Sequence, residues 1–411
     1  MGYSKQVAWG LSWLSILKVI TKLLTLAKIV VLARILSPND FGIFGLVTVV
    51  LSLTEVFTET GVNPFLTQTP KNPNNFYNTA WVVSIVRGFL IGAVMILLSF
   101  FIAPFYHEPT LLGFMLIASI IPIIKGFINP AEIKFQREFA YHKDVYLRIV
   151  LVLVDVSFAV AFAMVFHSAL AMILSQVIAA VLEVLITQML ITPRPKFTFI
   201  HSYLHEILRF GAWLNIGGVF AFLGNNLDDL IIGKLMGTSI LGYYQNGFAI
   251  GQSAVGEMGD LSAQATFPAF GRIASDLPRL RRAFYLSLLG LAVVLSIPLI
   301  LIILYSHALV LIVLGQKWLP IVPVLPWLTA AAYLQALNSH MFPINLIRSR
   351  TYYSAFSYLA YLILMVWLLL SFSAKTGLEG AGQALFWARA LVQPLVLFGL
   401  FRSLYGKQKA K

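Results

Sequence analysis

Residues 15–36, SILKVITKLLTLAKIVVLARIL, are apolar enough to cross a bilayer yet carry four cations. A transmembrane helix needs roughly 20 predominantly apolar residues. Ionisable groups inside such a helix usually face a bundle interior or an aqueous cavity. At about 100° per residue, four polar side chains share one face of this helix: Ser15, Lys18, Lys22 and Thr25. The stretch therefore predicts a membrane helix whose polar face meets other protein or water.

The composition of the chain is that of a membrane protein. Of its 411 residues, 59% are hydrophobic and 11% are charged, whereas soluble domains are about 45–50% apolar and about 25% charged. The absence of cysteine excludes disulfides, thiol catalysis and thiolate-bound metals. No metal site is predicted. The net charge of +13 has to be located along the chain before it is interpreted.

Apolar runs between polar breaks predict twelve transmembrane helices. They are 9–36, 41–66, 79–105, 110–130, 146–167, 169–192, 207–235, 240–267, 283–306, 319–345, 353–373 and 379–402. Lys and Arg collect in loops on one side, whereas the opposite loops hold only Lys317 and Lys375. The positive-inside rule then places both termini in the cytoplasm. We expect a multi-pass protein of the bacterial inner membrane, and its basic loops account for most of the net charge without nucleic acid.

An internal repeat relates the two halves of the chain. Residues 13–44 align without gaps to 213–244, so that the first helix matches the seventh. This predicts an all-α protein of two six-helix lobes about a pseudo-two-fold axis along the membrane normal, as in parallel-repeat transporters. The predicted divisions are an N-terminal lobe 1–192, a cytoplasmic linker 193–206 and a C-terminal lobe 207–411 with a cytoplasmic tail. Since two lobes already enclose a cavity, we expect a monomer.

The short connecting segments exclude several classes of protein. None is long enough to form an extramembrane catalytic domain, so an enzyme is not expected. No GxxxxGK[ST] phosphate-binding loop occurs, which excludes nucleotide hydrolysis by this chain. No cofactor is predicted. Transport is expected to draw on an ion gradient, H⁺ or Na⁺, or on the gradient of the substrate.

Five segments together resemble one family of membrane proteins. They are ARILSPNDFGIFGL (33–46), NPAEIKFQREFAYHK (129–143), LRFGAWLNIGGVFAFLGNNLDDLIIGKLMGTSILGYY (208–244), FPAFGRIASDLPRLRRAF (267–284) and GQKWLPIVPVLPWL (315–328). In this order they resemble the polysaccharide transporter family of the multidrug/oligosaccharidyl-lipid/polysaccharide exporter superfamily. They are most similar to its exopolysaccharide and teichuronic-type exporters and O-antigen flippases. The resemblance implies the MATE-like fold of that superfamily.

The resemblance also implies a function. The expected activity is translocation of undecaprenyl-pyrophosphate-linked oligosaccharide from the cytoplasmic to the outer leaflet by alternating access, for export of cell-surface polysaccharide. The expected partners are this lipid-linked glycan and membrane lipids. The alternative is an ion-coupled exporter of drugs or small molecules, because the drug-exporting branch shares the fold. The cations of the first lobe argue against that alternative.

Two acids of the second helix match two cations of the first. Glu55 and Glu59 lie on one face of their helix. If the two helices are antiparallel about the turn SPND, Lys22 lies at the depth of Glu55 and Lys18 at the depth of Glu59. We therefore predict two cations and two anions at matched levels near the middle of the membrane.

Two interpretations of these charges stay open. In one, the pairs only neutralise each other so that the helices pack, since buried charges are normally paired. In the other, the cations line a cavity and bind the substrate pyrophosphate, while Glu55 and Glu59 tune them. Arg87 and Lys125 favour the second interpretation, because no acidic partner of equal depth is evident for either. The predicted substrate-binding residues are Lys18, Lys22, Arg87 and Lys125.

The second lobe is rich in amides and acids instead. Its candidate sugar-binding or ion-coupling residues are Asn225, Asn226, Asp228, Asp229, Gln252 and Glu257. Asp228 is the first candidate for a coupling group, because a carboxylate in a low dielectric can carry a proton. The structural alternative is that Asp228 or Asp229 pairs with Lys234, or with Arg34 of the first lobe. A second structural pair is expected between Asp155 and Glu183.

Overall fold

The computed structural model of the protein describes residues 3–138 and 140–406, which are helical or irregular and contain no β-strand. The side chains of residues 3–12, 14–16, 211–217, 220 and 221 lie outside the description. Ser15 of the predicted polar face and seven residues of the repeat segment 213–244, namely 213–217, 220 and 221, are therefore not described at the side-chain level. The chain divides into two compact units, Met1–Leu227 and Asp228–Lys411.

Among the described residues, ten α-helices belong wholly or largely to the first unit. They are α1 (Tyr3–Ile35), α2 (Pro38–Phe57), α3 (Val62–Gln68), α4 (Tyr77–Tyr106), α5 (Pro109–Ala118), α6 (Ile120–Lys125), α7 (Lys134–Arg137), α8 (Tyr141–Phe166), α9 (Leu170–Leu190) and α10 (His201–Met236). The division between the two units falls inside α10.

The turn between α1 and α2 is defined by a capping box. The Ser37 hydroxyl accepts from the Asp40 N–H, and the Asp40 carboxylate accepts from the Ser37 N–H at 2.9 Å. This reciprocal arrangement satisfies donors that the first turn of a helix leaves unpaired. The other Asp40 oxygen accepts from the Ala169 N–H at 3.0 Å, just before α9. The motif SPND thus stops α1, starts α2 and ties the hairpin to the start of α9.

The predicted second span is broken. It was expected to run from 41 to 66, but α2 ends at Phe57 and α3 begins at Val62. Gly61 lies between them with a φ of 69°, a left-handed conformation that glycine adopts without steric cost. The Glu59 carboxylate accepts from the Gly61 N–H at 2.7 Å. Glu59 therefore lies in a helix break and not on the continuous helical face that its sequence spacing suggested.

An apolar cluster surrounds the segments that join α3, α4 and α7. Its largest fully buried members are Phe76, Tyr77 and Leu66. Beside it, the fully buried Asn129 donates from its amide nitrogen to the carbonyls of Ile191 and Pro193, at 3.1 Å each. This side chain fastens the segment after α6 to the end of α9.

The second unit continues with α11 (Thr238–Gly251), a π-helical turn (Gln252–Gly256), α12 (Glu257–Arg272), α13 (Leu277–Val313), α14 (Leu325–Ile347) and α15 (Thr351–Tyr405). The 55-residue α15 contains the two predicted spans 353–373 and 379–402, which are separated at Gly377, where φ is 59°. The fully buried His340 joins three helices, because its ring nitrogens lie 2.8 Å from the Ser262 hydroxyl and 3.0 Å from the Ser287 hydroxyl.

Six of the described helices are long and apolar enough to span a membrane. Seven qualify if Pro109–Lys125 and Pro130–Arg137, which are bent by 66°, form one broken span. Every predicted span overlaps a helix of the structure. The all-α, polytopic membrane fold is thereby confirmed, while the count of twelve crossings and the boundaries of the two lobes stay predictions.

Candidate functional site

A cavity of about 670 Å³ lies inside the first unit. Side chains of α1, α2, α6, α8 and α9 line it. Its charged lining residues are Lys18, Glu55, Lys125, Arg148, Asp155 and Glu183. The structure therefore brings together two of the predicted cations and one of the predicted acids. Lys22, one turn further along α1, is half-buried and lies outside the lining of this cavity.

A second cavity of about 220 Å³ shares two lining residues with the first. Glu55 and Lys125 line both cavities, and Arg87 lines the second. Lys125 is exposed at the end of α6, where no ion pair to it is found in the described part of the chain. Its ammonium group is therefore available to a ligand in either cavity.

Close backbone contact between α4 and α6 places Arg87 beside Lys125. A Cβ atom on Gly88 would lie 2.4 Å from the Pro122 carbonyl oxygen, and one on Gly126 would lie 2.9 Å from the Ser84 carbonyl oxygen. Small residues allow membrane helices to approach to this degree. Each glycine directly follows one of the two cations, so the glycine contacts determine the spacing of Arg87 and Lys125.

Replacement of Gly88 by alanine is therefore expected to push α6 away from α4. Since the added methyl group meets a backbone oxygen and no flexible side chain, we expect the free energy of unfolding to fall by about 1–3 kcal/mol. Gly113→Ala is the matched control, because no atom lies within 4 Å of a Cβ built there. Unfolding in mixed detergent micelles measures both variants. Equal stability of the two would show that the α4–α6 contact adjusts freely.

The predicted depth pairs of α1 and α2 do not form. Glu59 pairs with Arg87, whose Nη2 lies 3.0 Å from Oε2 of Glu59 and donates to the Glu55 carbonyl oxygen at 2.8 Å. The break after Phe57 takes Glu59 out of the expected register and within reach of α4. Neither Lys18 nor the Glu55 carboxylate forms an ion pair among residues 3–138 and 140–406. The expectation that Arg87 lacks an acidic partner was therefore wrong.

The predicted pair of Asp155 and Glu183 was also wrong. Asp155 accepts from Lys28 Nζ and from the Ser175 hydroxyl, each at 2.7 Å. Glu183 instead pairs with Arg148 Nη1 at 2.6 Å. Two carboxylates repel each other, and each has a cation on a neighbouring helix. Lys28, the third cation of the opening stretch, is thus engaged in an ion pair between α1 and α8.

Arg148 is a charged residue of the cavity that sequence reasoning missed. It contacts three carboxylates: Glu183, Glu132 at 3.3 Å and Asp144 at 3.4 Å. Arg148 lies four residues after Asp144, close to the start of an apolar run. This spacing was the one sequence feature that could have indicated its ion pair with Asp144. A cation near the end of a membrane helix commonly extends to the membrane surface. The structure instead uses it to join the segment before α7 to α8 and α9.

These pairings determine the charge that the large cavity offers to a ligand. Its lining holds three cations and three acids. Arg148 and Glu183 satisfy each other, and Asp155 is satisfied by Lys28, which is not part of the lining. The lining is thus neutral as a whole, and its members without an ion pair in the described chain are two cations, Lys18 and Lys125, and one acid, Glu55. The predicted cationic cavity is thus reduced to two lysines and, through the adjoining cavity, Arg87.

The first acids of the second unit, the buried Asp228 and the half-buried Asp229, lie among polar partners. Asp228 is 8% exposed and accepts a hydrogen bond from the Tyr244 hydroxyl of α11. The Gln245 side chain hydrogen-bonds to Asp229, and Arg389 of α15 acts on Asp228 through its charge. Among the described residues of the second unit no ion pair of either aspartate is found, and the pairing with Lys234 stays a prediction.

The remaining predicted residues of the second lobe are separated along the helices. Asn225 is exposed, and Asn226 donates to the Phe222 carbonyl oxygen of its own helix at 3.0 Å. Gln252 lies in the π-helical turn, where its carbonyl oxygen is buried without a hydrogen-bond partner in the described chain. Glu257 begins α12. Asp228 and Asp229 of this predicted group are neighbours in a shared polar environment.

Comparison with known proteins assigns the chain to a family. The family model described as "Polysaccharide biosynthesis protein" matches residues 31–323. The chain belongs to this family. It is 24% identical over 353 residues to the lipopolysaccharide biosynthesis protein WzxC of Escherichia coli (strain K12), which covers 85% of this chain and 72% of the relative. It is 22% identical to the teichuronic acid biosynthesis protein TuaB of Bacillus subtilis (strain 168), covering 81% of this chain and 70% of TuaB.

Solved structures show the same fold. An inward-facing MATE-family multidrug resistance transporter of the MOP superfamily matches with a TM-score of 0.73 and 13% identity, covering 98% of this chain and 100% of that one. The lipid II flippase MurJ, in an inward closed conformation, matches with a TM-score of 0.72 and 14% identity, covering 93% and 86%. At these identities the likeness concerns the fold alone. It confirms the MATE-like fold that the sequence motifs implied.

Proposed function

We propose that the protein is a flippase for undecaprenyl-pyrophosphate-linked oligosaccharide, and that it works by alternating access. Membership in the polysaccharide biosynthesis family supports the substrate class. The observation that carries the proposal is the cavity of the first unit, whose walls present Lys18 and Lys125 without an ion pair in the described chain. A ligand that enters this cavity and suits the two lysines is anionic and hydrophilic, as a pyrophosphate bearing sugars is.

Five of the predicted residues of the first lobe have a role in this proposal. Lys18 and Lys125 bind the phosphate oxygens, and Arg87 adds a third cation from the adjoining cavity. Glu59 holds Arg87 in place through their ion pair, and Glu55 limits the positive charge. The prenyl tail stays in lipid while the head group moves from the cytoplasmic to the outer leaflet. We further propose that both termini are cytoplasmic, that the monomer is the working unit, and that transport involves neither nucleotide nor catalysis.

A reconstituted flipping assay tests the proposed function. Proteoliposomes carry a fluorescent undecaprenyl-pyrophosphate-linked disaccharide, and dithionite added outside destroys the label in the outer leaflet. We expect protein-dependent movement of this label, and none of an equally labelled phosphatidylcholine that controls for leakage and scrambling. Transport of a cationic dye by proteoliposomes that do not flip the lipid-linked disaccharide would contradict the proposal and favour the drug-exporter alternative.

We also propose that transport is coupled to H⁺ or Na⁺ at Asp228. Its burial and its contact with Tyr244 place a carboxylate where its protonation or ion binding is linked to the packing of α11. In the same proteoliposomes, an imposed H⁺ or Na⁺ gradient is expected to accelerate flipping severalfold. Asp228→Asn keeps an oxygen for Tyr244 and is expected to abolish the acceleration. Glu379→Gln, which removes a negative charge from a half-buried side chain of α15, controls for the loss of charge in this unit. Acceleration that survives Asp228→Asn would exclude Asp228 as the coupling site.

A further inference from the structure

The two halves of α15 fold back on each other and leave a groove between them. The reversal occurs at Gly377, after which the Thr351 end and the Tyr405 end of the helix lie side by side. The Tyr353 and Phe398 rings meet edge to face, with centroids 6.1 Å apart. A Cβ atom on Gly399 would lie 2.7 Å from the Tyr353 Cβ, so the absence of a side chain at Gly399 allows the two halves to touch here.

The groove has a volume of about 440 Å³ and is lined almost entirely by apolar atoms. Phe356, Leu359 and Ile363 line it and are each at least half exposed. Ala360 forms part of its wall. Since these side chains lie on the outer surface of a membrane-spanning helix, the groove is open to the hydrocarbon of the bilayer. Its occupant therefore arrives from the lipid phase and contributes an apolar chain.

Arginine side chains lie at one end of the groove, which we call its mouth. The Arg402 guanidinium carbon lies 5.3 Å from the centre of the Phe398 ring, which is part of the lining. Arg402 is exposed, and its guanidinium forms no ion pair in the described part of the chain. Arg350 donates to the Arg402 carbonyl oxygen, and Tyr352 hydrogen-bonds to Tyr353 within electrostatic range of both arginines.

Two further arginines add positive charge at this end of the groove, but their guanidinium groups already donate hydrogen bonds to backbone carbonyls. Arg281 donates to the Leu404 carbonyl oxygen at 3.0 and 3.1 Å, and Arg348 donates to that of Ser403 at 3.1 Å. They satisfy carbonyls that the last turn of α15 leaves unpaired. Burial, and then the like charges of Arg350 and Arg281, lowers the pKa of Arg348. Arg402 is the exposed arginine in this cluster that faces the groove.

We propose that the groove binds one anionic glycerophospholipid, with an acyl chain along the apolar wall and its phosphate on Arg402. The site combines an apolar channel open to lipid with a cation at its head, which matches a lipid tail and a singly charged phosphate diester. A pyrophosphate carries more negative charge than the one exposed guanidinium compensates. Positive-inside orientation puts this mouth at the cytoplasmic leaflet. Basic pockets between membrane helices on that side are suited to anionic head groups. The site is separate from the proposed transport cavity.

Native mass spectrometry of the detergent-purified, delipidated full chain tests the site. The probes are dioleoylphosphatidylglycerol and dioleoylphosphatidylcholine, which share acyl chains and differ in net charge. We expect the anionic lipid to bind about fivefold more tightly, the effect of one arginine near a membrane surface. Arg402→Gln is expected to remove this preference. Arg282→Gln, which changes an exposed arginine outside the groove lining, is expected to keep it.

A groove-filling variant tests the acyl chain. Ala360→Trp is expected to weaken binding of both lipids, and Leu359→Trp serves the same purpose if the first variant elutes as aggregate. Equal loss of preference in Arg402→Gln and Arg282→Gln would overturn the site in favour of general surface charge. Unchanged binding in the tryptophan variants would remove the acyl chain from the groove. Tighter binding of undecaprenyl phosphate, with the same sensitivity to Arg402→Gln, would overturn the assignment to a phospholipid.

Discussion

Replacement of Arg87 by glutamine is expected to lower the initial rate of flipping about 10- to 100-fold without reducing the amount of folded protein. The range corresponds to one hydrogen bond to a charged group. In the structure Nη2 of Arg87 already donates hydrogen bonds to the Glu55 carbonyl oxygen and to the Glu59 carboxylate. Its Nε is buried and has no hydrogen-bond partner in the described chain. A phosphate oxygen in the adjoining cavity is the partner that the proposed function supplies.

The double variant Arg87→Gln/Glu59→Gln separates the two interpretations of this charge. If Arg87 only neutralises Glu59, removing both charges restores transport, because no unpaired carboxylate is left in the wall. If Arg87 binds pyrophosphate, the double variant stays as slow as the single one. We expect the second result.

Lys143→Gln is the matched control for Arg87→Gln. Lys143 is an exposed cation of the first unit that lines neither of the two charged cavities. Its loss tests whether flipping responds to net charge alone. Transport rates are normalised to the protein recovered as a single peak in size-exclusion chromatography. Wild-type flipping by Arg87→Gln, or recovery in the double variant, would remove Arg87 from the substrate site.

The helices were predictable because their signal is local. A run of about 20 apolar residues specifies a membrane helix without reference to any other part of the chain. The error in the second span occurred where one backbone conformation decides the outcome. Gly61 has a positive φ and interrupts the predicted span 41–66. Gly377 also has a positive φ, but it lies between the predicted spans 353–373 and 379–402, where the sequence already indicated a break.

The charge partners were not predictable to the same degree. The depth argument correctly selected α1 and α2 as a charged region, but it assumed that α2 continues through Glu59. Lys28 and Asp155 are 127 residues apart, and Arg87 and Glu59 are 28 apart. Which helix lies beside which depends on packing, here on glycine contacts such as that of Gly88 with Pro122. The sequence alone identified which charged residues lie within the helices. Their ion pairs depend on which helices pack together in the folded unit.

Loss of the Asp155 carboxylate is expected to have the largest effect on stability. Asp155→Ala leaves Lys28, whose side chain is 11% exposed, without the anion that lies 2.7 Å away. Removing one member of a buried pair leaves an uncompensated charge, and we expect the free energy of unfolding to fall by about 3 kcal/mol. Titration with sodium dodecyl sulfate in mixed micelles measures this value. Ser175 loses an acceptor as well but retains its bond to the Met172 carbonyl oxygen.

Two further variants separate charge from packing. Glu206→Ala breaks the Lys71–Glu206 pair, which has the same 2.7 Å length but an exposed lysine, and it is expected to cost at most about 1 kcal/mol. Lys28→Met/Asp155→Leu removes both buried charges and is expected to return close to wild-type stability, because replacing a buried ion pair by apolar side chains is often neutral. If Asp155→Ala costs no more than Glu206→Ala, Lys28 is solvated by another route. Lys28 would then rejoin Lys18 among the cations of the first helix that are available to an anionic substrate.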